Sequence, residues 1–228
     1  GSSSGVGRSL IDTIADYLLL TKPLVILLLL MGAVAAMFVA AEGTPDTSLI
    51  VLVLAGGALG AGGANAINHY LDQDIDLRMA RTRTRPLPGQ RIPPSHALVM
   101  GVVLNVLAFA VLATWVNLLA ALLVLGATLF YVFVYTMWLK RSNTQNIVIG
   151  GAAGAVPPLV GWAAVTGSLD LSALLLFAIV FFWTPPHFWA LAIIMREDYS
   201  RAGVPMLPVV KGTAATTKAI LIHSLILV

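Results

Sequence analysis

Long uninterrupted apolar runs alternate along this chain with short polar intervals. The first run covers residues 24–41. The second starts at 48 and continues into an acidic stretch beyond 65. Further runs cover 95–116, 118–139, 146–165 and 171–195, and another begins near 213. Runs of this kind approach or exceed the ~18–20 residues a helix needs to cross a bilayer. The alternating pattern that a membrane barrel requires is absent. The pattern therefore predicts an all-α integral membrane protein, a transmembrane bundle with seven spans begun. The run at 24–41 is too long, and starts too late, for a cleaved signal peptide. Glycines 56, 57, 60, 62 and 63 crowd the second span, which is therefore expected at the centre of the bundle, because small residues let membrane helices approach closely. The pairs Pro157-Pro158 and Pro185-Pro186 fall inside spans and predict kinks. Residues 8–20 predict a short amphipathic helix with Asp12 and Asp16 on its polar side. Residues 1–7 read as linker or cloning remnant. The expected division is an N-terminal segment, 1–20, followed by the bundle, 21–228. The last span stops inside the chain's end, so the bundle is expected to be incomplete at its C-terminus.

Composition agrees with this class. Apolar residues make up 59% of the chain and charged residues only 10%, whereas a soluble domain carries about a quarter charged. Without cysteine, disulfides and thiolate metal sites are excluded. The net charge of +3 gives no reason to expect a nucleic-acid partner, and lipid is the expected surroundings. The position of the charges says more than their sum. The N-terminal segment, with Arg8 and Lys22, and the loops after the second, fourth and sixth spans are basic. The loops after the first, third and fifth contain no Lys or Arg. The positive-inside rule puts the N-terminus and all the basic loops on the cytoplasmic side. Trp115 and Trp138 then fall near opposite interfaces.

The densest cluster of charge lies in residues 65–88, which hold Asp72, Asp74 and Asp76 and then Arg78, Arg81, Arg83 and Arg85. Asn68, Asp72 and Asp76 are spaced i, i+4, i+8, so on a helix they share one face. Two carboxylates four apart destabilise a bare helix, and a bound cation removes that penalty. Hard oxygen donors suit Mg²⁺, which commonly reaches a protein through one or two carboxylates plus substrate phosphates. The arginines beyond, with Lys140 and Arg141 at the end of the fourth span, can meet the phosphate oxygens. Metal and cations around a diphosphate stabilise its departure. Acids and arginines at a helix end also describe a simple solvated cap. The exact four-residue repeat preceded by Asn favours the metal site, and Asp74, off the stripe, keeps the cap reading.

At this point the sequence resembles a known family. Asn68, Asp72, Asp76, Met79, Arg81, Thr82, Arg85 and Pro86 stand as in the first signature of the UbiA-type intramembrane prenyltransferases. More narrowly, the sequence is similar to their heme-farnesylating branch, the protoheme IX farnesyltransferases. Agreement extends to Thr21-Lys22-Pro23, to Tyr135-Thr136 with Leu139-Lys140-Arg141, and to 150–161 around Pro157-Pro158. It continues through 183–191 and from Asp198-Tyr199 to Pro208, so it covers nearly all of 17–212. The resemblance implies a nine-helix bundle that transfers farnesyl from farnesyl diphosphate to a vinyl group of heme b, with addition of water, giving heme O. Mg²⁺ would assist loss of diphosphate, and heme b would be a substrate, not a cofactor. By position, Asn68, Asp72 and Asp76 would carry the first metal, with Asp198 contributing to a second acidic site. Lys22, Arg81, Arg85, Lys140 and Arg141 would contact the diphosphate. Asp72, Asp76, Tyr135 and Lys140 would act in catalysis, Tyr135 by enclosing the reacting centre. Many relatives carry two aspartates four apart in the second motif. Here Ile194 stands four before Asp198, with Arg196 and Glu197 adjacent, a thinning shared by the heme branch.

His187, among Trp183, Phe188 and Trp189, and His69, beside Asn68, are candidate heme contacts. His96 and His223 read as structural. Two other readings stay open. One is a prenyltransferase acting on a quinone precursor or other aromatic acceptor. The other is a heme or ion transporter, although that class places charge near the bilayer centre. The expected location is a bacterial or archaeal cell membrane, with the mitochondrial inner membrane as the alternative. Heme A synthase or oxidase assembly factors are the partners the resemblance implies.

Overall fold

A computed structural model describes residues 9–228. The linker expected over 1–7, and Arg8, lie outside them. Ser9 opens the first helix, α1 (Leu10–Thr21), through a capping box with Asp12. Each then satisfies a backbone N–H that the first turn leaves unpaired. The helix is amphipathic as expected, but its two acids differ in surroundings. Asp12 is exposed at the cap, but Asp16 is buried and accepts three hydrogen bonds from Arg91 at 3.0–3.1 Å. The polar side of α1 faces protein, and Leu10, Ile11, Ile14 and Leu18 are exposed. An apolar face outward is what a helix at a lipid interface presents.

Lys22 turns the chain into α2 (Pro23–Ala40) with a left-handed backbone, φ 55°. That conformation is uncommon outside glycine. Asp46 caps α3 (Thr47–Leu71) by accepting from the amides of Ser48 and Leu49. A short helix, α4 (Gln73–Arg78), follows, and then the loop to α5 (Pro94–Trp115). Asn117 caps α6 (Leu118–Leu129), which continues without a gap as a π-helix, π1 (Phe130–Leu139), and a final turn, α7 (Lys140–Ser142). The remaining helices are α8 (Asn146–Thr166), α9 (Leu171–Ile194), α10 (Arg196–Arg201), α11 (Leu207–Val210) and α12 (Gly212–Leu227).

Six of these stretches are long and apolar enough to cross a membrane, and α12 is a shorter apolar helix. The protein is a multi-pass integral membrane bundle. Large apolar side chains along α2, α5 and α9, such as Leu28, Val103 and Leu175, are exposed, as suits contact with lipid. Trp115 and Trp138 are both exposed, each near the C-terminal end of its span. The glycine-rich α3 is central, in contact with α1, α2, α5, α6, π1 and α8. Its approach to α5 is backbone on backbone: a Cβ at Gly63 would stand 2.6 Å from the Gly101 carbonyl oxygen, and one at Gly101 would stand 2.8 Å from that of Gly63. Helices α8 and α9 run unbroken through both proline pairs.

Candidate active site

The acidic stripe starts on the last turns of α3. The helix breaks at Asp72, whose backbone (φ −96°, ψ 10°) leaves the helical range, and resumes as α4. The break does not scatter the stripe. The Asp72 amide still donates to the Asn68 carbonyl at 2.9 Å, and the Asp76 amide to the Asp72 carbonyl at 2.8 Å. Asn68, Asp72 and Asp76 therefore keep the i, i+4 relation that the spacing predicts. The Asn68 amide nitrogen donates to Asp72 Oδ2 at 2.7 Å. The stripe is covered by protein: Asn68 is 4% exposed, Asp72 2% and Asp76 4%. The cover comes from distant segments. Thr136 on π1, fully buried, accepts from Asn68 Nδ2 at 3.1 Å, and the Thr82 hydroxyl donates to the Asp76 carbonyl at 2.9 Å. Asn65, one turn earlier, donates to the Thr21 carbonyl at 2.8 Å and so holds the end of α1 against α3. Thr136 and Asn65 were not singled out as site residues in the sequence, because a neutral side chain inside an apolar run carries no mark of its partner.

Four of the five cations expected around a diphosphate surround this stripe. Lys140 pairs with Asp72 Oδ2. Arg85 reaches both oxygens of Asp76 through Nη1, at 3.1 and 3.0 Å. Lys22 Nζ donates to Asn68 Oδ1 at 2.8 Å. Arg141 clamps Asp74 with two bonds of 2.8 Å, donates to the Leu71 carbonyl at 2.7 Å, and lies 3.7 Å from Asp72 Oδ1. The bonds from Arg141 hold the exposed Asp74 carboxyl below the usual carboxylate range. Burial first, and then the charges of Arg85 and Lys140, pull the Lys22 ammonium down to about 7, against Asp72 and Asp76. Arg81 is exposed on the loop after α4.

Tyr135 and Tyr131 stack on the inner side of π1, with centroids 5.4 Å apart and planes at 19°. Tyr135 also fills the space beside Gly150 of α8, where a Cβ would come within 2.3 Å of its ring. The ten-residue π-helix matters here, because π-winding is rare and concentrates at functional sites. It carries Tyr131, Tyr135 and Thr136 and delivers Lys140 to Asp72.

Asp198 is engaged elsewhere. It accepts from the Ala80 amide at 3.3 Å and from Arg201 at 2.6 Å. Desolvation, the largest influence on its carboxyl, pushes it up, but the amides of Ala80 and Arg81 and the charge of Arg201 together hold it below the usual range. Asp198 thus ties α10 to the loop that carries Arg81. Of the histidines, His69 is at the stripe: 2% exposed, with Nδ1 3.7 Å from Asp76 Oδ2 and neither ring nitrogen hydrogen-bonded. His187 is exposed on α9, stacked on Trp183 at 4.4 Å and edge-on to Phe188. His96 bonds the Tyr17 hydroxyl at 2.7 Å, and His223 meets the Ala219 carbonyl and the face of Trp189.

The described residues hold no group of three or more His, Cys, Asp or Glu arranged to grip a metal ion by themselves. The stripe offers a smaller set: an amide oxygen and two carboxylates. Asp72 Oδ1 is buried with no hydrogen-bond partner, a costly state for a carboxylate oxygen. A few hard oxygens with one unsatisfied fit Mg²⁺, which keeps positions for water and phosphate oxygens.

The UbiA prenyltransferase family profile matches residues 29–228. A protoheme IX farnesyltransferase from Symbiobacterium thermophilum is 60% identical over 217 residues, which are 95% of this chain and 72% of that protein. A protoheme IX farnesyltransferase from Roseiflexus is 59% identical over 92% of this chain, which spans only 39% of that longer protein. Among solved structures, a UbiA homolog from Archaeoglobus fulgidus bound to DMAPP and Mg²⁺ superposes with a TM-score of 0.79 at 21% identity, covering 93% of this chain and 75% of that one.

Proposed function

The chain belongs to the UbiA prenyltransferase family, and from that premise we propose that it transfers the farnesyl group of farnesyl diphosphate to a vinyl group of heme b, giving heme O. The observation that carries the reaction type is a buried oxygen-donor stripe ringed by cations at one end of an apolar bundle. The acceptor is argued from the 60% identity to a protoheme IX farnesyltransferase.

The chain's own groups divide the work as follows. Lys22, Arg85, Lys140 and Arg141 meet the diphosphate oxygens and hold the charge that builds as the C–O bond breaks. Arg81, on the loop fixed by Asp198, is the outer contact. Asn68, Asp72 and Asp76 would hold a magnesium ion, which when bound would neutralise charge on the departing diphosphate. Tyr131 and Tyr135 present ring faces to the allylic cation and keep water from it, since an aromatic face attracts positive charge. The vinyl π-electrons then form a bond to the farnesyl carbon that diphosphate has left, and water adds through its oxygen to the resulting carbocation on the heme side and releases a proton, leaving a hydroxyl. The basic loops after α4, after α7 and around α10 lie in the cytoplasm, which puts the diphosphate end at the inner face of a cell membrane.

The test is an acceptor panel. The purified protein in detergent is given labelled farnesyl diphosphate and Mg²⁺ with heme b, with an aromatic acid or with a quinone precursor. Label on heme b alone is expected. Label on the aromatic acid or quinone precursor, with none on heme, contradicts the acceptor assignment.

A further inference from the structure

Every residue that would offer oxygen to a metal is already held by a cation that would face a diphosphate. Lys140 sits on Asp72 Oδ2. Arg85 takes both oxygens of Asp76. Lys22 takes Asn68 Oδ1 at 2.8 Å. These contacts are not surface pairings, because all three acceptors are buried. The two carboxylates of the stripe face four cations, Arg141 lying 3.7 Å from Asp72 Oδ1, so a divalent ion cannot simply add to the cluster. Like charges a few ångströms apart inside a poorly polarisable interior repel strongly, and each cation that leaves its oxygen needs another anion. Of the stripe's side-chain oxygens, only Asp72 Oδ1 is buried without a hydrogen-bond partner, with Arg141 3.7 Å away. It is the one carboxylate oxygen of the stripe that metal can reach without breaking a hydrogen bond.

We propose that Lys140 and Arg85 are exchange cations: each occupies a metal-ligand carboxylate when no ligand is bound and passes to the diphosphate when metal takes its place. This rests on the metal–diphosphate reading above and adds a coupling to it. In the absence of diphosphate the two lysine and arginine side chains oppose metal binding. In its presence the displaced cations are satisfied, and the two ligands favour each other. The coupling is reciprocal, since metal must raise diphosphate affinity by the factor by which diphosphate raises metal affinity. The arrangement also keeps the site from holding metal idle when no substrate is present.

Binding, not turnover, tests the proposal. Mn²⁺ serves as a paramagnetic probe, and the free ion is quantified by electron paramagnetic resonance on the full chain in detergent. Titrations are run without and with inorganic diphosphate, against protein-free controls. Without diphosphate, Lys140→Met should bind Mn²⁺ about tenfold or more tightly than the unaltered chain, because a competing charge is gone. Lys140→Arg, which keeps the charge, should stay close to the unaltered chain. With diphosphate the order should reverse, Lys140→Met binding more weakly. Arg85→Gln should show the same reversal at Asp76, and it decides the matter if Lys140→Met loses its cooperative thermal unfolding. Equal or weaker metal binding by both variants without diphosphate overturns the exchange, leaving Lys140 and Arg85 as plain diphosphate contacts. Absence of Mn²⁺ binding to the unaltered chain even with diphosphate overturns the metal–diphosphate reading itself, and the exchange with it.

Discussion

Asp72 shows what a side chain does when it is both ligand and counterion. Its carboxylate is 2% exposed and pairs with Lys140, which is itself largely buried. Deleting it therefore removes more than a metal donor. Asp72→Asn keeps the shape and an oxygen for Lys140, so we expect transfer to fall by about 10²–10³-fold with the unfolding midpoint nearly unchanged. Asp72→Ala strands the ammonium and should cost on the order of 3 kcal/mol of stability as well, read as a lowered midpoint in detergent. Asp16→Ala should destabilise for the same reason, by leaving Arg91 without its buried carboxylate, while a variant rescued by lipid keeps its transfer rate. The stripe itself was legible, since three residues four apart share a helix face whatever surrounds them. Its burial was not. The covering groups Lys22 and Lys140 lie 46 and 68 residues from the atoms they hold, and spacing within one helix is silent about partners at that range. The burial of Asp16 was not legible for the same reason: a period in α1 gives two faces but not which of them meets Arg91.

At the scale of elements the apolar runs were nearly sufficient. Every span starts within one residue of the apolar run that predicts it, because length and hydropathy alone decide what crosses a bilayer. The central place of α3 was legible from its glycines. Gly63→Leu should force α3 and α5 apart, since the new side chain meets Gly101 backbone and Leu104. Overpacking of this kind costs about 1–3 kcal/mol or more, and a thermal unfolding series with Gly63→Ala between the two extremes checks it. The π-winding of 130–139 was not legible, because it arises from how π1 seats against α3 and α8 and from no residue that breaks a helix. On α9 the exposed Trp183–His187 stack gives a separate test. If this face holds heme, His187→Ala should lower heme affinity more than farnesyl diphosphate affinity, both measured by equilibrium binding. Equal losses would remove the heme role of this face.

For the whole molecule, the bundle brings groups from sequence-distant loops to one end and leaves the rest apolar. Lys22 precedes the first span, Arg85 follows α4, and Lys140 closes the fourth span, yet all three converge on one helix stripe. That convergence distinguishes a diphosphate-handling enzyme from a carrier, which holds its charge near the middle of the membrane. In the proposed reaction this cluster drives metal-assisted departure of diphosphate so that farnesyl passes to heme. The most direct measurement is the mass of heme recovered after incubating the protein with heme b, farnesyl diphosphate and Mg²⁺, in parallel with EDTA and with Asp72→Asn. The expected product is a heme heavier by one farnesyl and one hydroxyl group, lost in both controls. The same product formed undiminished in EDTA and by Asp72→Asn would contradict the proposed reaction.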